Sequence, residues 1–392
     1  MARSWRIGDN ELDYLRQVLE SGFPGASNVN FVAKLEAAFA EKFDCKYAIS
    51  HTNGTATLHS ALAAVGVKPG DEVIVPPLTM ASTSLAVLHQ HAVPVFADID
   101  PNTFLIDPKS VRERITPRTK AIITVALYGL SPDMDPILDA ARQNGLAVIE
   151  DDAQCFLGRY KGRVAGSIGD LASFSFQNSK HITCGEGGIV TTNNQEYADR
   201  VARFASLGYG LVCAGAGKSK IDKRAIVNPS FKRHVSLGFN YRMSELCGAV
   251  TYAQFERLDE FVAWRKRTAA AFDAVARCCS WLKPQYVGPE FEHSYWAYVM
   301  KLDTGKSGVT WQQFYDKFNE LGGDGYYGAW SLTYLEPVFQ DGSLGVKYSA
   351  GICPVAEATQ PYLIQLKTNY GDQTVIDRQA EVLAETIRYF DR

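Results

Sequence analysis

Short apolar runs separated by helical stretches constrain this chain more tightly than any other feature of it. Strand-like segments fall at 47–50 (YAIS), 72–75 (EVIV), 94–98 (PVFAD), 120–125 (KAIITV) and 146–151 (LAVIED). Helical spacing occupies 31–43, where Val32, Leu35, Phe39 and Phe43 share one face, and the intervals near 81–90, 108–115 and 134–144. Apolar strands alternating with helices predict an α/β fold, a mostly parallel sheet sandwiched by helices. Such sheets bind ligands beyond the carboxyl ends of their strands. The loops after Ser50, Val75, Ile149 and Phe176 are therefore expected to converge on one site.

Length and composition narrow the setting. At 392 residues the chain exceeds a single ordinary core. We expect a large domain over 1–250, with an N-terminal arm, and a small domain over 251–392. Beyond about Arg267 the pattern becomes α+β, with a strand near 295–302, a helix near 310–321 and a last helix from about 374 to Phe390. A net charge of −3 gives no drive toward nucleic acid or an anionic membrane. No apolar run is long enough to span a bilayer, and the opening MARSWRIGDNELDYL lacks the apolar core of a signal peptide. The eight cysteines include no CxxC pair and the seven histidines no HxxxH spacing. A metal centre is not expected, and a reducing, cytoplasmic setting is.

Several loops carry chemistry. The stretch 173–193, SFSFQNSKHITCGEGGIVTTN, reads as two strands around a polar loop that holds Lys180. Lysine between packed strands is a candidate amine nucleophile, although a hairpin with an incidental basic residue has the same local pattern. Residues 51–58, HTNGTATL, follow a strand and open a helix. Free backbone N–H groups and the helix dipole make that turn an anion site, or a plain cap on Thr52 or Asn53. The run ending Glu150 delivers Asp151, Asp152 and Gln154 to the same sheet edge. A carboxylate there can hold a proton on a buried ring nitrogen and Gln154 can bond a ring oxygen, while either aspartate can equally cap a helix. From Gly208 to Gly238 the chain is glycine-rich and then basic, with Lys218, Lys220, Lys223, Arg224, Lys232 and Arg233. This is a solvated loop or a flap over an anionic substrate. A long helix is expected to start within 238–245, GFNYRMSE, with Leu246, Val250, Ala253, Leu258 and Phe261 on its apolar side.

Together these stretches resemble the DegT/StrS-type sugar aminotransferases, a family of fold-type I pyridoxal phosphate (PLP) enzymes. The resemblance rests on 53–56 (NGTA), 150–154 (EDDAQ), 166–170 (GSIGD), Ser175-Phe176 with Lys180 and 185–188 (GEGG), and 238–245, in family order. It implies that Lys180 is the Schiff-base lysine and proton carrier, that Asp151 pairs with the pyridinium nitrogen, and that Gln154 contacts the ring hydroxyl. Gly54, Thr55 and Ser175 would bind the phosphate, and Met80 stands where many relatives place an aromatic over the ring. Asn240 would reach the phosphate of a neighbouring subunit, implying a homodimer with shared sites. The implied reaction moves an amino group from glutamate to a keto sugar, nucleotide-linked or the C8-oxidised octulosonic acid that leads to an 8-amino-3,8-dideoxy sugar of lipopolysaccharide. Arg233 and His234 are the candidate substrate contacts. Relatives with histidine at the lysine position are PLP-dependent dehydratases; here that position is Lys180 and His181 is its neighbour. A non-catalytic binding module would lack the lysine or its acid, and a nicotinamide enzyme would show a GxGxxG that the early strands lack.

Overall fold

The computed structural model describes residues 4–23, 29–214, 227–325, 327–342, 345 and 347–391. Its centre is a seven-stranded sheet of β1 (Tyr47–His51), β2 (Glu72–Val75), β3 (Val93–Phe96), β4 (Thr119–Val125), β5 (Ala147–Asp151), β8 (Leu171–Ser175) and β9 (Gly188–Thr192). The spatial order is β1-β9-β8-β5-β4-β2-β3. Neighbours are parallel except that β9 runs against both β1 and β8. The parallel strands are apolar because helices cover both faces. The helix Gly54–Ala64, made mostly of small residues, sinks against β8 and β9. Within the chain the 173–193 hairpin exists as expected, with Ser173 opposite Val190 and Ser175 opposite Gly188.

Behind β8 and β9 lies an aromatic core of Phe39, Phe43, Phe156, Phe174 and Phe176. Phe39 and Phe43 stack at 4.1 Å, and Phe174 meets both edge-on at 5.0 and 4.8 Å. The helix Phe31–Lys42 thus packs one face onto the back of the strand that leads to Lys180. Glu245 caps this helix from outside: its carboxylate accepts from the Phe31 and Val32 N–H groups at 2.8 and 3.3 Å.

A second sheet, antiparallel and in the order β10-β12-β14-β13, comprises β10 (Leu282–Pro284), β12 (Ala297–Leu302), β13 (Tyr327–Gly328) and β14 (Leu363–Lys367). Its core takes Phe272, Met300, Phe314, Phe318, Leu366 and Leu383 from the sheet and from the helices Leu258–Ala276, Trp311–Glu320 and Gln373–Phe390. The two halves are sewn together. β11 (Phe291–Glu292) joins β6 (Arg159–Tyr160) and β7 (Arg163–Val164) in a small third sheet. Ser294 donates its N–H to the Gly129 carbonyl at 2.8 Å. Gly129 has φ +109°, and a Cβ there would lie 2.6 Å from the Tyr295 nitrogen. Only glycine permits that approach.

Three expectations differ from what is observed. The segment 238–244 is not helical; a helix starts at Glu245 on the cap Ser244, stops at Glu256, and a second begins at Leu258. Apolar spacing carried across both and concealed the break at Arg257. A boundary at residue 250 falls inside the first of these helices, and the second core collects side chains only from Ala269 onward. The opening segment, expected as an N-terminal arm, contains the helix Asn10–Glu20, which buries Val18 against the helix Glu245–Glu256. Its marginal apolar face is stabilised by tertiary packing rather than by local signals.

Candidate active site

The carboxyl ends of the parallel strands open into a cleft of about 810 Å³. Gly54 and Thr55 after β1, Met80 after β2, Asp151 and Gln154 at the end of β5, and Ser175 and Lys180 at and after β8 all line it. The loops after Ser50, Val75, Ile149 and Phe176 therefore do meet at one place.

The cradle at the end of β1 follows from the sequence of the turn. Asn53 is the N-cap of the helix Gly54–Ala64, and its side chain accepts from the Ala56 N–H at 2.8 Å. The cap satisfies the third helical N–H and leaves those of Gly54 and Thr55 at the cleft, where the dipole favours an anion. A Cβ on Gly54 would lie 2.8 Å from the Ser175 Cβ, so glycine brings the helix start against the serine that completes the cradle.

Opposite it stands the acid. Asp151 is buried, accepts from Thr83 Oγ1 at 2.8 Å and from the Ala153 N–H at 3.3 Å, and burial raises its pKa. The Thr83 bond and the Lys180 charge oppose that rise. Such a carboxyl is stabilised as an anion by a cationic partner, which a protonated ring nitrogen provides. Asp152 points elsewhere. It does not line the cleft, it is buried, and burial with the neighbouring Glu150 and Asp151 charges drives its pKa far up. Glu150 in turn accepts from the N–H groups of Gly166, Ile168 and Gly169 at 3.2, 2.8 and 2.7 Å, which explains the GSIGD turn as structural. Gln154 accepts the Tyr128 N–H at 2.8 Å through Oε1, so its NH₂ is the donor left for the cleft.

Lys180 is half-buried at the cleft floor, with Nζ 5.2 Å from the Trp296 ring centroid. Its pKa is lowered to about 8, by burial first and by the Arg265 charge, while Asp151 and Glu186 oppose the shift. A lysine in that range supplies free amine near neutral pH. His181 faces away: Nε2 lies 3.0 Å from the Ser294 carbonyl and its ring packs on Phe156 at 5.3 Å, inside the core.

Met80 sits half-exposed at the rim. Asn240, Arg233 and His234 do not line the cleft of their own chain and are exposed. His234 Nδ1 instead meets the Leu207 carbonyl at 2.7 Å, and its ring lies 4.7 Å from Tyr209. Lys218, Lys220, Lys223 and Arg224 lie outside the described residues. Sequence reasoning missed Thr83, Trp296 and Trp330. The two tryptophans stack at 5.9 Å over the cleft. They come from loops after the first domain, where no local pattern announces a cleft wall. Among the described residues no cluster of His, Cys, Asp and Glu could hold a metal, and no helix is long and apolar enough to cross a membrane.

Comparison with known proteins agrees with this geometry. The chain is 38% identical to a GDP-perosamine synthase of Caulobacter vibrioides over 304 residues, 77% of each protein. Among solved structures it is similar to an aminotransferase from Psychrobacter cryohalolentis, with a TM-score of 0.89, 27% identity and full coverage of both chains. It also resembles a GDP-4-keto-6-deoxymannose-3-dehydratase, with a TM-score of 0.84, 25% identity and coverage of 97% and 99%. The fold is that of the fold-type I aminotransferases. The pattern of the DegT/DnrJ/EryC1/StrS aminotransferase family extends over residues 6–378. With match, fold and cleft in agreement, the chain belongs to that family and is a PLP-dependent sugar aminotransferase.

Proposed function

We propose that this enzyme transfers the amino group of glutamate to a keto sugar, through Lys180, Asp151 and the cradle of Gly54, Thr55 and Ser175. The observation that carries the reading is a lysine amine with its pKa lowered to about 8, in one cleft with a buried carboxyl and an open helix N-terminus. Pyridoxal phosphate bound there supplies an electrophilic carbon and an electron-withdrawing ring. The helix start and Ser175 hold its phosphate. Asp151, oriented by Thr83, holds the positive charge on its ring nitrogen, and the Gln154 NH₂ donates to its ring oxygen. Lys180 would hold and move the proton at the reacting carbon of the donor or acceptor. Trp296 and Trp330 close the opposite wall and exclude water. Over the full cycle an amino acid and a keto sugar become a keto acid and an amino sugar, with no external oxidant.

For the acceptor we propose either a nucleotide-linked 4-keto or 3-keto sugar, which the perosamine synthase relative supports, or the C8-oxidised octulosonic acid that leads to an 8-amino-3,8-dideoxy sugar of lipopolysaccharide. Dehydration is the second reading, because the same fold serves a dehydratase relative. The burial of His181 away from the cleft favours transamination.

The test is the absorption spectrum of the purified protein with PLP, before and after glutamate, beside Lys180→Ala. A band near the visible edge that glutamate bleaches, and that the variant lacks, is the expected result. Turnover by the variant should fall at least 10³-fold, because the amine nucleophile and the proton carrier are lost together. A band that glutamate leaves untouched sinks the donor assignment, and no band with added PLP sinks the enzyme reading. Coupled assays with each keto sugar then decide the acceptor.

A further inference from the structure

Two arginines beneath Lys180 take no part in the chemistry above. Arg265, on the helix Leu258–Ala276, is 3% exposed, and Arg6, in the N-terminal arm, is 9% exposed. Among the described residues neither forms an ion pair with a carboxylate. Instead both donate to the loop that carries the lysine. Arg6 Nη1 reaches the Asn178 carbonyl at 2.8 Å, and its Nη2 reaches those of Lys180 and His181 at 2.7 and 3.3 Å. Arg265 Nη2 reaches the Ser179 and Lys180 carbonyls at 3.4 and 3.3 Å. Its Nη1 holds the Trp296 carbonyl at 2.8 Å and Thr368 Oγ1 at 3.0 Å. The indole of Trp296 then donates to the Ser179 carbonyl at 2.9 Å, closing the ring of contacts.

A buried guanidinium without a carboxylate is costly, and carbonyl dipoles offset only part of that cost. Two of them converging on the Lys180 carbonyl are not what packing alone selects; an apolar side chain would fill the space at lower cost. We propose that Arg265 and Arg6 are positioning residues for Lys180: they clamp its backbone from below, and the buried Arg265 cation bonded to the same loop disfavours the ammonium form of its amine. The clamp spans three parts of the chain, since Arg6 is itself anchored by Gln254 Nε2 on its carbonyl and by Trp5 packed edge-on against Phe261 at 5.4 Å. The groups that face the amine are Asp151 at the end of β5, Glu186 before β9, Arg265 from the long helix and, beyond it, Arg6; His181 is buried and neutral. The two carboxylates favour the ammonium, and desolvation and the Arg265 guanidinium oppose it. The inference rests on Lys180 as the cofactor-bearing amine, but its test does not need turnover.

The experiment measures the reactivity of Lys180 toward an amine-selective acylating reagent in the full-length chain freed of PLP, from pH 6 to 11, by peptide mass spectrometry. Wild type, Arg265→Gln and Arg265→Lys are compared, with circular dichroism to report folding. In Arg265→Gln the midpoint for Lys180 is expected to rise by about one pH unit, making acylation at pH 7 about tenfold slower. Arg265→Lys retains the charge and should return the midpoint toward wild type. The rate of PLP attachment should drop in both, because both lose the fork. A folded Arg265→Gln protein with an unchanged midpoint and unchanged PLP attachment overturns the proposal. If Arg265→Gln does not fold, Arg6→Gln, which removes only the contacts to Asn178, Lys180 and His181, is read by PLP attachment, and an unchanged rate there overturns it equally. Failure of glutamate to bleach the cofactor band would leave these midpoints untouched, so the two readings fail separately.

Discussion

At the scale of single residues, Asp151 shows how much a carboxyl's surroundings decide. Its neighbour Asp152 has the same chemistry, yet one lines the cleft and the other is shut into the core beside Glu150. Alternation puts Glu150 and Asp151 on opposite faces of β5, and Asp152, the first residue past the strand, is buried off the cleft beside Glu150. Both carboxyls have raised pKa values through burial, but only Asp151 has a hydroxyl donor and a lysine within electrostatic reach. Asp151→Asn keeps the shape and removes the charge that balances a protonated ring nitrogen. Steady-state kinetics should show kcat lower by a factor of at least about 100, corresponding to about 2.7 kcal/mol, with the fold retained. A loss below tenfold would move the role to another group. Lys180, Asp151 and Gln154 were legible in sequence because each sits at a fixed offset from a strand end. Thr83 was not, since its bond to Asp151 spans 68 residues and joins the start of the helix Ser82–His89 to the end of β5.

At the scale of elements, the anion cradle depends on one close approach. The alternatives left open by the turn after β1, phosphate site or plain cap, turn out to be compatible: Asn53 caps the third N–H and the first two stay open to the cleft. Gly54→Ala places a methyl group 2.8 Å from the Ser175 Cβ, and the helix start must move off β8. We expect PLP affinity to weaken at least tenfold, read by fluorescence titration, with a cost in stability of about 1–3 kcal/mol from overpacking. Unchanged affinity would mean that the phosphate is held elsewhere. The hairpin of β8 and β9 and the helix Phe31–Lys42 were readable from periodicity. The break at Arg257 and the helix Asn10–Glu20 were not, because a continuous apolar stripe hides a kink and a marginal helix is stabilised only by its partner.

At the scale of the whole molecule, the segment 227–240 carries exposed apolar side chains among the described residues. Val227, Val235 and Leu237 are 78%, 64% and 80% exposed, on the same stretch of sequence as Asn240, Arg233 and His234, none of which lines its own cleft. Exposed apolar side chains along one stretch suit a contact surface. We propose that a second copy covers it in a two-fold homodimer, bringing Asn240 to the partner's phosphate cradle and Arg233 and His234 to the partner's substrate. Mixing inactive Lys180→Ala with inactive Asn240→Ala subunits should then restore up to about a quarter of wild-type activity, since each hybrid dimer carries one intact site. No recovery after subunit exchange, verified by mass, would place Asn240 outside a shared site.

Much of this protein follows from its sequence alone. Apolar runs of four to six residues between helical stretches require a covered parallel sheet, and a parallel sheet collects its loops at one edge. Lys180, Asp151 and the Gly54 turn were therefore assigned to one site before any contact was known. Contacts distant in sequence were decided only by the tertiary structure. Thr83, Trp296, Trp330, Arg265 and Arg6 join the site from other elements, and which of two adjacent aspartates faces the cleft depends on the strand's register. A residue's offset from a strand end is a local property that spacing records. The environment of a buried charge is set by every element packed around it, and no local spacing carries that information.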